Sequence, residues 1–132
     1  MTDSEGGCLC GAVRLRVSGP PIFSVICHCV TCRRASGAPS VAWVGFTRSN
    51  FVFILGEAQA YRSSAGVIRR FCPRCGTALT YESARRPDTI DVATVALDDP
   101  NAFPPTGEVW VAHRIAWEAP NPALAQFSTG GD

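Results

Sequence analysis

The sequence lacks a charge excess of either sign. Its 12 basic residues, which are all arginine, nearly balance 11 acidic residues and leave a net charge of +1. Proteins that bind nucleic acid by neutralising many phosphates normally carry a basic excess. The composition therefore argues against nucleic acid as a partner.

Long apolar stretches are absent as well. No apolar run approaches the roughly 20 residues that a membrane-spanning helix needs. Residues 1–7 carry acids and no apolar run, so no secretory signal peptide is predicted. We therefore expect a cytoplasmic protein without a membrane partner, in a compartment where thiols stay reduced.

Helical periodicity is scarce. The 10 prolines and 12 glycines interrupt intervals rich in Val, Ile, Phe and Thr, a pattern typical of short strands joined by turns. The chain is long enough for a single domain over residues 1–132. We predict a mainly β fold of packed antiparallel sheets with one or two short helices.

The predicted elements follow the apolar alternation and the turn residues. Strands are expected near residues 12–18, 23–27, 40–47, 51–55, 58–62, 68–71, 78–82, 89–95 and 108–112. A short helix is expected at 30–35 and a second at 114–116 or 122–126, while 97–105 is expected to be a turn-rich connector.

Seven cysteines dominate what is present. They form two pairs and a cluster of three, namely Cys8 and Cys10, Cys72 and Cys75, and Cys27, Cys29 and Cys32. In a reducing compartment such a pattern favours metal ligands over disulfides, and an odd number would leave one cysteine unpaired. Because structural zinc takes four thiolates, the seven divide into one closed site of four and one open site of three.

The two pairs are predicted to share the closed, structural zinc. Cys72-Pro-Arg-Cys75-Gly76 has the form of a zinc knuckle, in which a tight turn aims backbone N–H groups at the thiolates. Cys8 and Cys10 must lie on a bend, for which Gly11 supplies backbone freedom. Buried free cysteines or a redox pair are the alternatives.

The cluster Cys27, Cys29 and Cys32 is predicted to hold a second zinc with one open position. Such a position can act as a Lewis acid or accept a substrate thiolate. Among neighbours, His28 is expected beside the metal or on the surface rather than as a ligand. Arg33 and Arg34 could bind an anionic group or be solvated charges, and a carboxylate base could approach only through the fold.

Other residues are weaker candidates for membership of this second site. His113 is expected to be structural, although it could close the site from a distance. The pairs at 69–70 and 85–86 are expected on solvated faces or, less favoured, in the same cleft. Glu82, Asp88 and Asp91 are the carboxylates considered as bases.

With these residues assembled, the chain resembles the glutathione-dependent formaldehyde-activating enzyme (GFA) family, which includes centromere protein V. The matching residues are the seven cysteines with Gly7, Gly11, His28, Arg33, Gly37, Phe71 and Gly76, and the tail from Val109 to Phe127 is also similar. The resemblance implies a β-tent-like fold of packed sheets and the same division of cysteines, four on a structural zinc and three on a catalytic one.

The resemblance also implies a carbon–sulfur lyase activity. The family's named reaction joins glutathione to formaldehyde as S-hydroxymethylglutathione, so we expect a small-molecule thiol and an aldehyde as partners. Cys27, Cys29 and Cys32 would be the catalytic cysteines, with His28, Arg33 and Arg34 as candidate substrate contacts and two zinc sites per chain, the second of which can be partly occupied. The alternatives are a non-catalytic, zinc-stabilised binding module and, less favoured, a nucleic-acid zinc ribbon.

Overall fold

The computed structural model describes residues 2–130. Within them lies one α-helix, α1 (Val30–Ser36), and short 3₁₀ turns occupy Arg48–Asn50, Thr94–Ala96, Pro100–Ala102 and Val111–His113. The strands are β1 (Asp3–Gly7), β2 (Arg14–Ser18), β3 (Phe23–Cys27), β4 (Val41–Thr47), β5 (Phe51–Leu55), β6 (Gln59–Ser64), β7 (Val67–Phe71), β8 (Ala78–Ser83), β9 (Thr89–Ala93), β10 (Gly107–Val109) and β11 (Ala125–Gln126). The protein is therefore mainly β, as the sequence predicts.

The strands form two sheets. One has three strands in the order β1-β2-β5, and the other has eight in the order β11-β10-β3-β4-β9-β8-β7-β6. Pairing is antiparallel except at one end of the large sheet, where β10 runs parallel to both β3 and β11. The parallel end brings residues near position 108 beside the cysteine-rich segment that follows β3.

The main core lies between the two sheets. Leu15 of the small sheet and Phe46, Leu79 and Ile90 of the large sheet are at most 1% exposed and belong to one apolar cluster. Because side chains alternate along a strand, the residues between these point to the other face of the large sheet. Burial of these apolar side chains between the two sheets is the chief source of stability for the fold.

The second face of the large sheet carries a row of paired residues. Arg69 pairs with Tyr81 across β7 and β8, and Tyr81 pairs with Asp91 across β8 and β9. The row continues through Gly45 to Phe23. Gly45 is required there, since a Cβ would lie 2.2 Å from the Phe23 ring. Four side chains of this row face the cleft described below.

Some sequence expectations differ from the fold. β1 was not expected, because Asp3–Gly7 has no apolar alternation and is held by backbone pairing with β2. The second α-helix expected at 114–116 or 122–126 is wrong, since the latter range contains β11 and neither is α-helical. The strand expected at 108–112 ends at Val109 and gives way to a 3₁₀ turn. α1 lies where it was predicted.

Over residues 2–130, no helix combines the length and the apolar character that crossing a membrane requires.

Candidate metal centres

The sulfur atoms of Cys8, Cys10, Cys72 and Cys75 converge at one point and could hold a metal ion, all within 4.8 Å of one another. The Cys8–Cys10 separation is 3.6 Å and the Cys10–Cys72 separation is 3.8 Å. Tetrahedral zinc with Zn–S bonds of about 2.3 Å requires sulfurs about 3.8 Å apart. These distances fit zinc ligands, and the cysteines are free thiols rather than disulfides.

Backbone N–H groups surround this closed site. Those of Arg74 and Cys75 each donate to Cys72 Sγ at 3.4 Å, and that of Val13 donates to Cys8 Sγ at 3.2 Å. Such donors stabilise thiolates. Gly11 and Gly76 have φ of 80° and 81°, so each supplies the left-handed turn that lets its cysteine pair bend.

Thr77 joins the two halves of the closed site. Its hydroxyl accepts from the backbone N–H of Leu9 at 3.0 Å and lies 3.2 Å from Cys75 Sγ. The hydrogen bond from the Thr77 side chain, reinforced by backbone N–H groups, lowers the pKa of Cys75 to about 5. This thiol is therefore ready to bind a cation as thiolate at neutral pH.

The second sulfur group, Cys27, Cys29 and Cys32, could also hold a metal ion, with its three sulfurs within 4.8 Å of one another. Cys27 ends β3, and Cys29 is the N-cap of α1, where its sulfur accepts from the backbone N–H of Cys32 at 3.3 Å. The helix begins here because the side chain of Cys29 satisfies this otherwise free N–H.

The three thiols differ in their readiness to ionise. Hydrogen bonds from Cys27 and Cys32 lower the pKa of Cys29, with help from the Thr31 hydroxyl and the backbone N–H of Cys32. The hydrogen bonds with Cys29 and Cys32, together with burial, raise the pKa of Cys27. A cation would displace the shared protons, since thiolates rather than thiols bind metals.

The three-thiol site opens into a cleft of about 850 Å³. Its apolar walls include Phe23, Val25, Trp43, Val67 and Trp110. Trp110 is the single non-glycine residue with positive φ among those described, at 56°, and its ring lies 5.0 Å from that of His113. Backbone strain at a cleft wall is typical of functional sites. A pocket of this size fits a ligand of several residues or a drug-sized molecule.

Three arginines line this cleft, namely Arg69, Arg85 and Arg86. Both terminal nitrogens of Arg86 bond to the buried carboxylate of Asp91 at 3.2 Å, so this cation is neutralised. Arg69 and Arg85 form no ion pair with a carboxylate anywhere in residues 2–130. The cleft therefore carries a net positive charge that favours an anionic ligand.

Behind the open site lies a buried pair, His28 and Glu108. His28 Nε2 is 2.6 Å from Glu108 Oε1, and the residues are 1% and 2% exposed. The carboxylate also accepts from the backbone N–H of Asn121 and from Gln126 Nε2. Burial opposes ionisation of Glu108, but hydrogen bonds from His28 and its other donors outweigh it and lower its pKa. Through Glu108 the pair connects the segment that contains Asn121 and Gln126 to the residues between β3 and α1, where His28 lies beside Cys27 and Cys29.

The candidate residues flanking the cluster lie outside the cleft. His28 is neither on the surface nor at the cleft, since it is buried against Glu108. Among the described residues, those lining the cleft include neither Arg33 nor Arg34. The arginines at 69 and 85–86, expected mainly on solvated faces, take that place. Arg70 pairs with Glu82 instead.

The other sequence candidates divide between cleft and surface. His113 lines the cleft and remains largely exposed. Asp91 also lines it, whereas Glu82 is engaged by Arg48 and Arg70 and Asp88 is exposed. Arg69 could not be singled out from local sequence, because only the fold places it near Cys32. Arg85 lies just after β8 and likewise reaches the cleft only in the folded chain.

Fold and site together define a small β protein with two all-cysteine groups able to hold metal ions, one closed and one opening into a cationic cleft. The chain matches the model of the glutathione-dependent formaldehyde-activating enzyme family over residues 3–113. It belongs to this family, as the cysteine pattern predicts.

Two curated relatives agree. An uncharacterised lyase of Schizosaccharomyces pombe is 36% identical over 94 residues, covering 69% of this chain and 67% of that protein. A putative glutathione-dependent formaldehyde-activating enzyme of Halomonas elongata is 30% identical over 110 residues, covering 76% of this chain and 69% of that protein. Each relative thus matches more than two thirds of this chain and of its own length.

A solved structure shares the fold. The crystal structure of a Rhodobacter sphaeroides protein superposes with a TM-score of 0.63 at 19% identity, covering 93% of this chain and 98% of that chain. The superposition covers nearly the whole of both chains, so the fold is shared beyond the segments that carry the cysteines.

Proposed function

We propose that the protein is a zinc-dependent carbon–sulfur lyase-type enzyme that joins a thiol, glutathione or a similar one, to formaldehyde. The observation that carries the proposal is the three-thiol group at a cationic cleft, with no cysteine to complete it as a four-thiol site. A purely structural zinc site has no need of an open position. Cys27, Cys29 and Cys32 would hold the ion.

Three thiolates are compatible with zinc, and they also determine which reaction zinc would favour at this site. When bound there, zinc supplies a Lewis acid that favours the ionised form of a thiol. Three sulfur donors make a soft site, which suits a sulfur substrate better than activation of water. The closed group of Cys8, Cys10, Cys72 and Cys75 would hold a second, structural zinc.

The cleft would bring the two substrates together. Its apolar walls would keep water from the small aldehyde, and Arg85, which has no ion pair within residues 2–130, would offer a cation to a carboxylate of the thiol substrate. Glutathione carries two carboxylates, whereas a small neutral thiol carries none. The cationic cleft therefore favours glutathione or another anionic thiol.

The reaction balances without an oxidant or reductant. The thiol sulfur forms a bond to the aldehyde carbon, the carbonyl π bond becomes the O–H bond of the hydroxymethyl product, and the thiol proton is the one gained by oxygen. Tyr81 and His113 line the cleft and carry exchangeable protons, so they are the candidates for this transfer. The reverse reaction cleaves the same carbon–sulfur bond.

Metal analysis and glutathione titration of the wild type and Cys29→Ser test the proposal. We expect two zinc ions per chain to fall to one, glutathione binding to be lost, and the wild type alone to accelerate exchange of labelled formaldehyde into the adduct, followed by NMR. Equal zinc content in both proteins would overturn the assignment. Glutathione binding without accelerated exchange would instead identify a non-catalytic binding module.

A further inference from the structure

Arg69 is fixed against the open site from several sides. Its Nη2 lies 3.7 Å from Cys32 Sγ and 3.2 Å from the hydroxyl oxygen of Thr31, and its Nε donates to Ser63 Oγ at 3.2 Å. The guanidinium carbon also lies 4.9 Å from the centroid of the Tyr81 ring. This arginine is held in one position before any ligand arrives, which lowers the entropy cost of using it.

The charge of Arg69 has no carboxylate to balance it within residues 2–130. The adjacent Arg70 is different, because it pairs with Glu82. Among the described hydrogen-bond partners of the Arg69 side chain, only Cys32 Sγ is a metal-ligating atom, and it would become anionic when a metal binds.

A count of charges indicates why such a cation is needed. A divalent ion with three thiolates carries a net charge of −1, and a fourth, substrate thiolate would make it −2 in a half-buried cleft. At the closed site, backbone N–H groups of Val13, Arg74 and Cys75 moderate the same charge. At the open site the guanidinium of Arg69 lies in the corresponding position beside a ligand sulfur.

We propose that Arg69 is the charge-compensating positioning residue of the open site, which strengthens metal binding by its three cysteines and permits entry of a fourth, anionic sulfur. The first part, which is the strengthening of metal binding, concerns only the thiolates of Cys27, Cys29 and Cys32. The second part rests on the proposed function, because it takes the ligand to be a thiol. Arg69 acts through Cys32 and need not contact the reacting carbon.

Cobalt substitution of the full-length protein tests both parts. The variants are Arg69→Gln, Arg69→Lys and the control Arg70→Gln, which removes the neighbouring arginine that is paired with Glu82. Competition with a chelator measures metal affinity at the open site, and the thiolate-to-cobalt absorption measures entry of glutathione as a further sulfur ligand. Cobalt retained at the closed site verifies that each variant is folded.

We expect Arg69→Gln to weaken metal binding at the open site by about 10- to 100-fold, as losses of residues that support metal ligands do, and to weaken glutathione entry further. Arg69→Lys should recover most of the metal affinity because it keeps the charge, and Arg70→Gln should match the wild type. Wild-type metal affinity in Arg69→Gln, or an equal loss in Arg69→Lys, would overturn the proposal.

The two proposals fail in different ways. If the wild-type cobalt absorption does not change with glutathione while Arg69→Gln still weakens metal binding, the compensating role stands and the thiol substrate is wrong. If glutathione enters normally in Arg69→Gln with undiminished metal affinity, the proposed function survives and the role of Arg69 is wrong.

Discussion

Glu108→Ala should destabilise the protein strongly, although the change touches no cysteine. Glu108 is 2% exposed, and its carboxylate accepts a hydrogen bond from His28 Nε2 at 2.6 Å and another from Gln126 Nε2 at 3.1 Å. His28 Nδ1 is already buried and has no hydrogen-bond partner among residues 2–130. Alanine would therefore leave both ring nitrogens of His28 buried and without hydrogen bonds.

The size of the effect follows from this burial. Leaving a buried hydrogen-bonding group such as the His28 ring without its partner costs about 1–3 kcal/mol. A chain of 132 residues has an unfolding entropy of about 0.28 kcal/mol/K. The melting temperature should consequently fall by about 4–11 °C.

Thermal unfolding at a fixed excess of zinc measures the effect, because bound metal also raises stability. Asp98→Ala is the matched control: it removes a carboxylate that pairs with Arg14 at 2.6 Å but has a side chain 56% exposed. Exposed pairs contribute about 0–1 kcal/mol, or at most about 4 °C here. If Glu108→Ala lowered the melting temperature no more than Asp98→Ala does, the buried pair would not carry the stability assigned to it.

Three further predictions concern pH, the closed site and a turn. The pKa of Glu108 is lowered below its ordinary value of 4.5, so the stability that its ionised form contributes is complete above that pH and is lost as the pH falls through the pKa of the folded state. Glu108→Gln should remove this part of the acid sensitivity, which denaturant unfolding of both proteins at several pH values measures. A difference in unfolding free energy between wild type and Glu108→Gln that does not change with pH would contradict this prediction. Cys72→Ala should lose one zinc per chain and unfold, which metal analysis and circular dichroism would detect. Full zinc content and an unchanged melting temperature in this variant would show that the closed site is misassigned. Gly56→Ala should lower the unfolding free energy by about 1–3 kcal/mol, because φ is 71° and the added Cβ would lie 2.1 Å from the carbonyl oxygen of Ala12. Gly37→Ala is the control, since Gly37 has a similar φ of 67° but no atom within 4 Å of the added Cβ, and it should cost less. Equal melting temperatures of the two variants would refute the role of the close contact.

The grouping of the cysteines could be predicted because it depends on short spacings and on ligand chemistry. A pair such as Cys72 and Cys75 forms its turn locally, with Pro73 and Gly76 suited to the knuckle. The helix after the cluster was predictable for a similar reason, since Cys29 caps it. The division of the seven cysteines into a set of four and a set of three follows from counting ligands, and the folded chain brings together the same two sets.

The cleft could not be predicted, because its residues meet only through the register of the large sheet. Arg69 and Cys32 are 37 residues apart, and His28 and Glu108 are 80 residues apart. The burial of His28 also depends on the parallel pairing of β10 with β3, which the local sequence pattern does not encode. Nothing in the Arg69-Arg70 dipeptide indicates which of the two arginines faces the cleft.

A metal ion would constrain the unfolded chain differently at the two cysteine groups, and this difference supports the proposed roles by an argument that does not depend on coordination number. An ion bridging Cys10 and Cys72 closes a segment 62 residues long, whereas an ion bridging Cys27 and Cys32 closes only five. Since the entropic cost of closing a loop scales as about (3/2)RT ln n, the longer closure raises the free energy of the unfolded state by about 2 kcal/mol more. The closed group also fixes the end of β7, three residues beyond Arg69. Metal bound at the closed site would therefore hold the strand that carries Arg69, whereas metal bound at the open site would add little to the stability of the fold and would remain available for exchange of ligands at the cleft.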